Sequence, residues 1–365
     1  MSKLEPFIPP ILPPEIDYLE LITDIGDARE ELGNLSGSLI HPVINPQLLI
    51  TPLLTKEAVV SSSIEGTIAT IEDVFRYEVE VSSLEDEEIR RDAQEIVNYR
   101  KALEESLSQL EKRAIGENLL KQAHYILLDS VRGSRKDRGN FRREIVYIGK
   151  PGAKIEDASF IPAPPEEIPE LMKNWESYIN SKKEKDPLIQ IAIAHYQFEA
   201  IHPFLDGNGR IGRLVIPLFL CDRNMLPYPI LYISEFFDEQ RDQYIDALRS
   251  VDENSDWSRW LRFFLTGLRI QALRTQKSVL EIVDLYNSLK EKVISLGSVY
   301  GSSMLDLIFI RPAVNYPILK EHLGASPQTI YNLLNKFEEE EILFQVSDRK
   351  RNRIYIFKAL IQLLR

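Results

Sequence analysis

The residue types able to do chemistry are concentrated in one run, His202-Pro203-Phe204-Leu205-Asp206-Gly207-Asn208-Gly209-Arg210-Ile211-Gly212-Arg213. Pro203 ends the apolar stretch before it, Gly207 and Gly209 permit positive φ, and Leu214-Val215-Ile216 resumes an apolar pattern. The run therefore reads as a loop that becomes a helix near Asn208. The first N–H groups of such a helix have no partner inside it and lie at the positive end of its dipole, which makes an anion site. Arg210 and Arg213, three residues apart, share a face of that helix. Two guanidinium forks beside those N–H groups suit a polyphosphate better than a carboxylate. Asp206 then needs a cation between itself and the phosphates, and Mg²⁺, which takes one or two protein carboxylates plus phosphate oxygens, is the natural choice. His202 carries the side chain that titrates near neutrality and could take a proton from an attacking hydroxyl. The plainer alternative, a buried histidine and a helix cap with surface arginines, leaves the glycines, Asp206 and both arginines without a common purpose.

The run resembles the signature of the Fic family, His-Pro-Phe-x-(Asp/Glu)-Gly-Asn-Gly-Arg-x-x-Arg, and matches it at every fixed position. Members of that family mostly transfer AMP from ATP to a Ser, Thr or Tyr hydroxyl of a protein. The resemblance implies that His202 is the general base, that Asp206 holds Mg²⁺, and that Gly207, Asn208, Gly209, Arg210 and Arg213 hold the phosphates of ATP. Upstream, Ser61-Ser62-Ser63-Ile64-Glu65-Gly66 reads as the end of a helix with Gly66 at C′. Glu65 faces the unfavourable end of that helix dipole and needs a positive partner. The segment fits the family's inhibitory motif, (Ser/Thr)-x-x-x-Glu-(Gly/Asn), with Ser61 and Glu65 in the fixed positions. By resemblance Glu65 pairs with Arg213, displaces the γ-phosphate and leaves ATP bound unproductively.

Between the two motifs, Phe141 to Gly149 reads as a strand. Lys150-Pro151-Gly152 gives a turn signal, and Ser159 to Ala163 can return as the partner limb. In the resembling family this hairpin, the flap, aligns the target segment by strand addition so that its hydroxyl reaches the base. Val146, Tyr147, Ile148 and Gly149 are assigned to the ATP site on the same resemblance. A structural hairpin capping the core is the alternative. Further on, Gln240 to Leu248 matches a family segment that usually carries two adjacent tyrosines near the adenine. Here the pair is Tyr244-Ile245, so Tyr244 is assigned to the ATP site and the base recognition departs from the pattern.

These residues need elements to position them. Prolines 6, 9, 10, 13 and 14 make residues 1 to 14 an extended arm. Apolar spacing predicts a helix from Glu15 to near Gly33, another after Pro46, a surface helix over Asp86–Leu110 and a further one over 117–131 with His124 packed on its apolar face. Gly133 to Asn140 reads as a basic turn. Helices follow over Glu166–Ile179 and Pro187–Ile201, the latter so apolar that it should be the buried centre, delivering His202 at its end. Trp257 to Leu296 gives one or two long helices, and the small-residue break at Gly297 to Ser303 marks the expected domain boundary. After it, Ile318–Gly324 and Ser326–Phe337 suggest a helix-turn-helix, and Glu341–Val346 with Arg353–Phe357 a hairpin around Asp348–Asn352. The set resembles a winged helix, with Pro327–Asn332 as the recognition element and Arg349, Lys350, Arg351 and Arg353 as a basic wing. Glu338 to Glu341 would repel a phosphate backbone, so DNA contact and a protein-interaction or dimerisation role stand side by side.

The expected fold class is mainly α: a Fic-type helical bundle with a β-hairpin flap, plus a C-terminal winged helix-turn-helix. The expected regions are 1–110, holding the inhibitory motif 61–66; 111–296, the catalytic core with flap 141–163 and signature 202–213; and 301–365, the winged helix. With 365 residues and 44% hydrophobic content the chain can build real cores without staples. The single cysteine, Cys221, excludes an intrachain disulfide framework and fits a reducing compartment. No apolar stretch approaches a membrane span, and the net charge of −12 opposes binding nucleic acid or anionic membrane with the whole surface. The expectation is a cytoplasmic protein adenylyltransferase that uses ATP and Mg²⁺, binds target proteins through the flap and is autoinhibited by Glu65. Self-modification and homodimer formation follow as expectations from the resemblance. The rival readings are removal of AMP or transfer of another phosphate-containing group by the same fold, and a DNA-binding regulator acting through the winged helix.

Overall fold

The structure is a computed structural model that describes residues 5–39, 45–131, 137–149, 156, 158–346 and 353–365. The turn expected at Lys150-Pro151-Gly152, the start of the basic turn at Gly133, and Arg349, Lys350 and Arg351 lie outside the described residues. The fold is mainly helical and forms two compact units, Met1–Asn34 with Asn98–Leu273, and Leu35–Val97 with Arg274–Arg365.

In order, the helices are α1 (Ile22–Ser38), α2 (Gln47–Ser63), α3 (Ile71–Val79), α4 (Glu87–Leu110), α5 (Glu117–Leu127), α6 (Ile168–Ile179), α7 (Pro187–Ile201), α8 (Asn208–Asp222), α9 (Ser234–Glu239), α10 (Arg241–Asn254) and α11 (Trp257–Ser295). The unit boundaries fall within α1, α4 and α11.

The first unit is built around α7. Asp186 caps it by accepting from the Leu188 N–H at 2.7 Å, and Pro187 occupies the first turn where a missing N–H costs nothing. Its side chains are buried almost without exception, against α6 on one side and α8 on another. Two indoles tie into its main chain, Trp175 donating to Ala194 O at 2.8 Å and Trp260 to Ala192 O at 2.9 Å. Polar tips thus find partners while the rings fill the core. The N-terminal arm lies along this unit: Phe7 N–H donates to Ile161 O at 2.8 Å, and Asn174 bonds both main-chain groups of Leu12.

In the second unit, α2 packs against α3 and against α12 (Gly301–Ile310). A capping box opens α3, Thr70 and Asp73 each bonding the other's main chain. The C-terminal stretch then runs β1 (Ala313–Val314), α13 (Tyr316–Leu323), α14 (Pro327–Glu339), β2 (Phe344–Gln345), β3 (Tyr355–Ile356) and α15 (Lys358–Leu363). The strands form an antiparallel sheet in the order β1-β3-β2, pairing Ala313 with Ile356 and Gln345 with Tyr355. Asn315 caps α13, Gly324 ends it at φ 61°, and Ser326 caps α14.

Three elements differ from the sequence expectation. The first helix spans Ile22–Ser38 rather than Glu15–Gly33: residues 15–21 continue the irregular arm, where Asp17 accepts from the Leu19 N–H at 2.9 Å, and Gly26 and Gly33 sit inside the helix with open space around them. The helix α4 is not a surface helix, because Asp92, Glu95 and Asn98 are as buried as its apolar stripe. Asp92 accepts from Ile68 N–H at 2.7 Å and Asn98 donates to Asp129 O at 2.8 Å, so polar residues fill interior positions by holding main-chain groups. The strand expected over Phe141–Gly149 is reduced to a single antiparallel bridge, Ile148 with Phe160. Its first residues are drawn instead towards the end of α7.

Candidate active site

His202 is the residue on which α7 ends. Its backbone is left-handed, φ 51° and ψ 60°, and its N–H donates to Phe198 O at 2.9 Å. A non-glycine residue there costs about 1 kcal/mol, so surrounding contacts must impose it. The turn points the chain away from the helix axis into Pro203 and Phe204 and leaves the imidazole half-buried at the mouth of the loop.

The loop closes on itself through Asn208. Its side-chain oxygen accepts from Phe204 N–H at 2.8 Å and its side-chain nitrogen donates to Phe204 O at 2.8 Å. That amide is therefore occupied in shaping the loop, and what Asn208 can offer an anion is its main-chain N–H in the first turn of α8. Gly207 precedes it at φ 77°. Arg210 and Arg213 are each only 3% exposed, and Arg210 Nη2 lies 3.8 Å from Asp206 Oδ1, a loose ion pair rather than a hydrogen bond. Two buried guanidinium groups, a half-buried carboxylate and a helix N-terminus thus follow His202 within eleven residues. This set can hold a polyphosphate, and the half-buried carboxylate of Asp206 is the group that could hold Mg²⁺ beside it, since Mg²⁺ commonly takes one or two protein carboxylates plus phosphate oxygens.

Two buried side chains hold this loop. Arg142, 2% exposed, donates from Nε to His202 O at 2.7 Å, from Nη1 to Glu144 O at 2.9 Å, and from Nη2 to Ala163 O and to Ile201 O, while its own N–H donates to Pro203 O at 2.9 Å. Burial brings its pKa down to about 10, so it stays charged at neutral pH. His124 accepts at Nδ1 from Gly139 N–H and reaches Asp206 O with Nε2, both at 2.9 Å, and its ring stacks on Phe204 at 3.9 Å. Since a carbonyl only accepts, its proton lies on Nε2. Burial lowers its pKa to about 4, outweighing the Asp206 contacts that act the other way, so the imidazole is neutral.

His195, seven residues and nearly two α7 turns before His202, faces the opposite wall. Its Nδ1 lies 3.2 Å from Gly212 O and its Nε2 3.1 Å from the Tyr244 hydroxyl. The carbonyl fixes the proton on Nδ1, so Tyr244 donates to Nε2. Burial, with a smaller push from Arg213, lowers its pKa to about 3 against the favourable Gly212 bond. Tyr244 stacks on Phe237 at 4.3 Å inside a cluster that includes Trp260 and Phe263.

The flap residues are mostly outward: Ile145, Tyr147 and Ile148 are 56%, 43% and 40% exposed, Gly149 is exposed and Val146 half-buried. Ile148 bonds Phe160 in both directions, donating at 2.8 Å and accepting at 3.2 Å. In the second unit, Ser61 is buried on α2, and the helix ends in a Schellman motif: Gly66, φ 97°, donates to Ser63 O at 2.9 Å and Thr67 to Ser62 O at 3.3 Å. Glu65 stands exposed in that turn. Among the described residues no cluster of three or more His, Cys, Asp or Glu could hold a metal by itself, and no helix is long and apolar enough to cross a membrane.

Comparison with known families matches residues 114–220 to the Fic/DOC family and residues 22–108 to its N-terminal region, together more than half of the chain. The chain belongs to the Fic/DOC family. The first Fic/DOC match takes in His202, Asp206, Arg210 and Arg213; the second takes in Ser61 to Gly66. Among relatives, a probable protein adenylyltransferase of Aquifex aeolicus is 28% identical over 195 residues, 52% of this chain and 55% of that protein. The protein adenylyltransferase Fic of Drosophila mojavensis is 35% identical over 127 residues, 34% of this chain. The match thus spans about half the length of the Aquifex protein and 22% of the Drosophila one. A crystal structure of a Fic family protein from Desulfovibrio desulfuricans shares the fold over 95% of this chain and 98% of that one, with a TM-score of 0.58 at 24% identity. Fic-1 from C. elegans shares it over 73% of this chain, with a TM-score of 0.55.

Within this Fic/DOC fold, sequence reading found the signature but not its supports. Arg142 was legible only as part of the expected flap strand, His124 only as a packed histidine, and His195 not at all. The signal for His195 was a titratable side chain inside an otherwise apolar helix.

Proposed function

We propose that this Fic/DOC protein is a protein adenylyltransferase, transferring AMP from ATP to a hydroxyl side chain of a target protein. The observation that carries the reading is the junction of α7 and α8: a histidine held at the helix end, followed within eleven residues by a half-buried carboxylate, a helix N-terminus and two buried arginines. Relatives named protein adenylyltransferase support it.

In this mechanism the target hydroxyl oxygen forms a bond to the α-phosphorus, the bond to the β-bridging oxygen breaks and pyrophosphate leaves. His202 takes the hydroxyl proton. Arg210, Arg213 and the N–H groups at the start of α8 orient the phosphates and offset the charge that develops on them. Mg²⁺ held by Asp206, when bound, supplies further neutralisation of the phosphate oxygens. There is no covalent enzyme intermediate to build, so positioning and electrostatics supply most of the acceleration. The flap offers a main-chain edge that aligns a target segment with little demand on its sequence. Glu65 is the restraint: pairing with Arg213, it takes the place of the γ-phosphate. Its position in the terminal turn of α2, with the dipole against it, supports that need for a cation. The three-region organisation, 1–110, 111–296 and 301–365, is retained, with the last region read as a winged helix on the strength of its β1-α13-α14-β2-β3 order.

The test is incubation with α-labelled ATP and Mg²⁺. Wild type should label weakly, Glu65→Gly at least tenfold more strongly by the loss of one charged competitor worth about 1.4 kcal/mol or more, and His202→Ala with Glu65→Gly not at all. Chelating the divalent ion should abolish the signal. A Glu65→Gly protein that transfers no label to any protein would sink the reading.

A further inference from the structure

Arg142 stands at the first limb of the flap, yet its guanidinium reaches well beyond the hairpin. All of its guanidinium bonds go to main-chain carbonyls, and these come from three separate places. Glu144 O belongs to the leading limb of the flap, Ala163 O to the end of its return limb, and Ile201 O with His202 O to the last turn of α7. The terminal carbonyls of a helix lack helical partners and carry the negative end of the dipole, so a cation there is favourable on both counts. A rigid planar fork with donors on three nitrogens can satisfy several carbonyls at fixed angles; a lysine ammonium, a single point of charge, cannot reproduce that pattern.

The two things joined are the ones whose spacing matters. His202 sits in a left-handed conformation that a non-glycine residue keeps only when its surroundings impose it, and Arg142 supplies a bond to the carbonyl of that very residue. The Arg142 N–H adds a bond to Pro203 O, fixing the next peptide as well. On the flap side, the same side chain gathers both limbs below the Ile148–Phe160 bridge. We infer that Arg142 is a positioning residue which sets the register between the flap and His202, so that a hydroxyl presented on the flap edge meets the base. The inference rests on the adenylyl-transfer reading for its catalytic consequence, though not for its structural one. Arg142 touches neither the α8 N-terminus nor Arg210 and Arg213 through any of these bonds, so its loss should act on the transfer step far more than on ATP binding.

The experiment compares Arg142→Lys and Arg142→Gln with their parent, all in the Glu65→Gly background. Three quantities are read: affinity for Mg·ATP by equilibrium binding, kcat for label transfer to protein, and hydrogen exchange of peptides covering 141–149, 159–163 and 198–204. The expected result is a kcat lower by roughly 10- to 100-fold, the cost of misplacing reacting groups by about an ångström, with Mg·ATP affinity within twofold of the parent. Exchange in all three peptides should rise together while α8 stays protected. Parental kcat in Arg142→Lys overturns the inference, and so does a fall in ATP affinity and α8 protection in step with kcat, which marks general loosening. If the parent itself transfers no label, the adenylyl-transfer reading fails; the exchange data still decide Arg142, since unchanged protection of the flap and of 198–204 removes the coupling.

Discussion

Acidification offers a sharp test of the wall behind the signature helix. His195 is fully buried and neutral, its pKa lowered from the ordinary 6.5 to about 3, chiefly by burial. The folded protein therefore binds fewer protons than the unfolded chain wherever the pH lies between those values. The stabilising contribution is complete above pH 6.5 and is lost as the pH falls from 6.5 towards 3, at about 1.4 kcal/mol per unit. At pH 5 the loss is about 2 kcal/mol, a large fraction of a domain's stability. The slowest-exchanging amides of α7 report the opening of their own unit, which avoids assuming that the whole chain unfolds in one step. From pH 7 to pH 5 their opening free energy should fall by about 2 kcal/mol more in wild type than in His195→Phe. His124, with its own pKa lowered to about 4, titrates alike in both proteins and cancels. Long-range ¹H–¹⁵N spectra should show His195 still in the Nδ1–H form at pH 5, with Tyr244 donating to Nε2. An imidazole that titrates between pH 6 and 7, or equal pH dependence in the two proteins, would refute the account of a desolvated ring wedged between Gly212 O and Tyr244.

Two further outcomes follow from single positions. Gly207→Ala places a Cβ 3.2 Å from Leu127 Cδ2 on a backbone at φ 77°, so it should lower stability by about 1–2 kcal/mol in chemical denaturation and weaken Mg·ATP binding by displacing the first turn of α8. If the C-terminal region grips DNA, duplex retardation should weaken steeply between low and moderate salt and further with Arg349 and Arg351 changed to Ala; retardation indifferent to both points instead to the protein-interaction role.

The parts of the fold legible in the sequence are those whose cause is local. Asp186-Pro187 starts α7, an unbroken apolar run carries it, and two glycines with a proline mark the loop that follows; each signal lies within a few residues of what it determines. Gly66 and Gly324 were readable for the same reason, since a left-handed helix end calls for glycine wherever it occurs. The short β1 strand was not readable, because two residues with no turn of their own are made a strand only by pairing with Tyr355 and Ile356 far along the chain. The charged pattern of α4 misled for a related reason: Asp92 and Asn98 look like solvent-facing residues until their partners, the Ile68 N–H and the carbonyls of Leu127 and Asp129, are in view.

The same blindness applies to the residues that hold the site. The signature was legible because its partners are a ligand, and a ligand of given charge demands particular side chains close together. Arg142, His124 and His195 answer mainly to carbonyls and N–H groups of Ile201, His202, Asp206, Gly139 and Gly212, some of them 60 or more residues away. Every residue has a carbonyl, so a side chain engaged with one leaves no matching residue type to be recognised at the other end. The signature thus names the groups that would touch the nucleotide, whereas the groups that fix their geometry are written in contacts with the main chain. This distinction has a physical consequence. Replacing a signature residue removes a charge or a base, whereas replacing Arg142 leaves every such group in place and alters only where they stand, so its effect should appear in the transfer step while the nucleotide still binds.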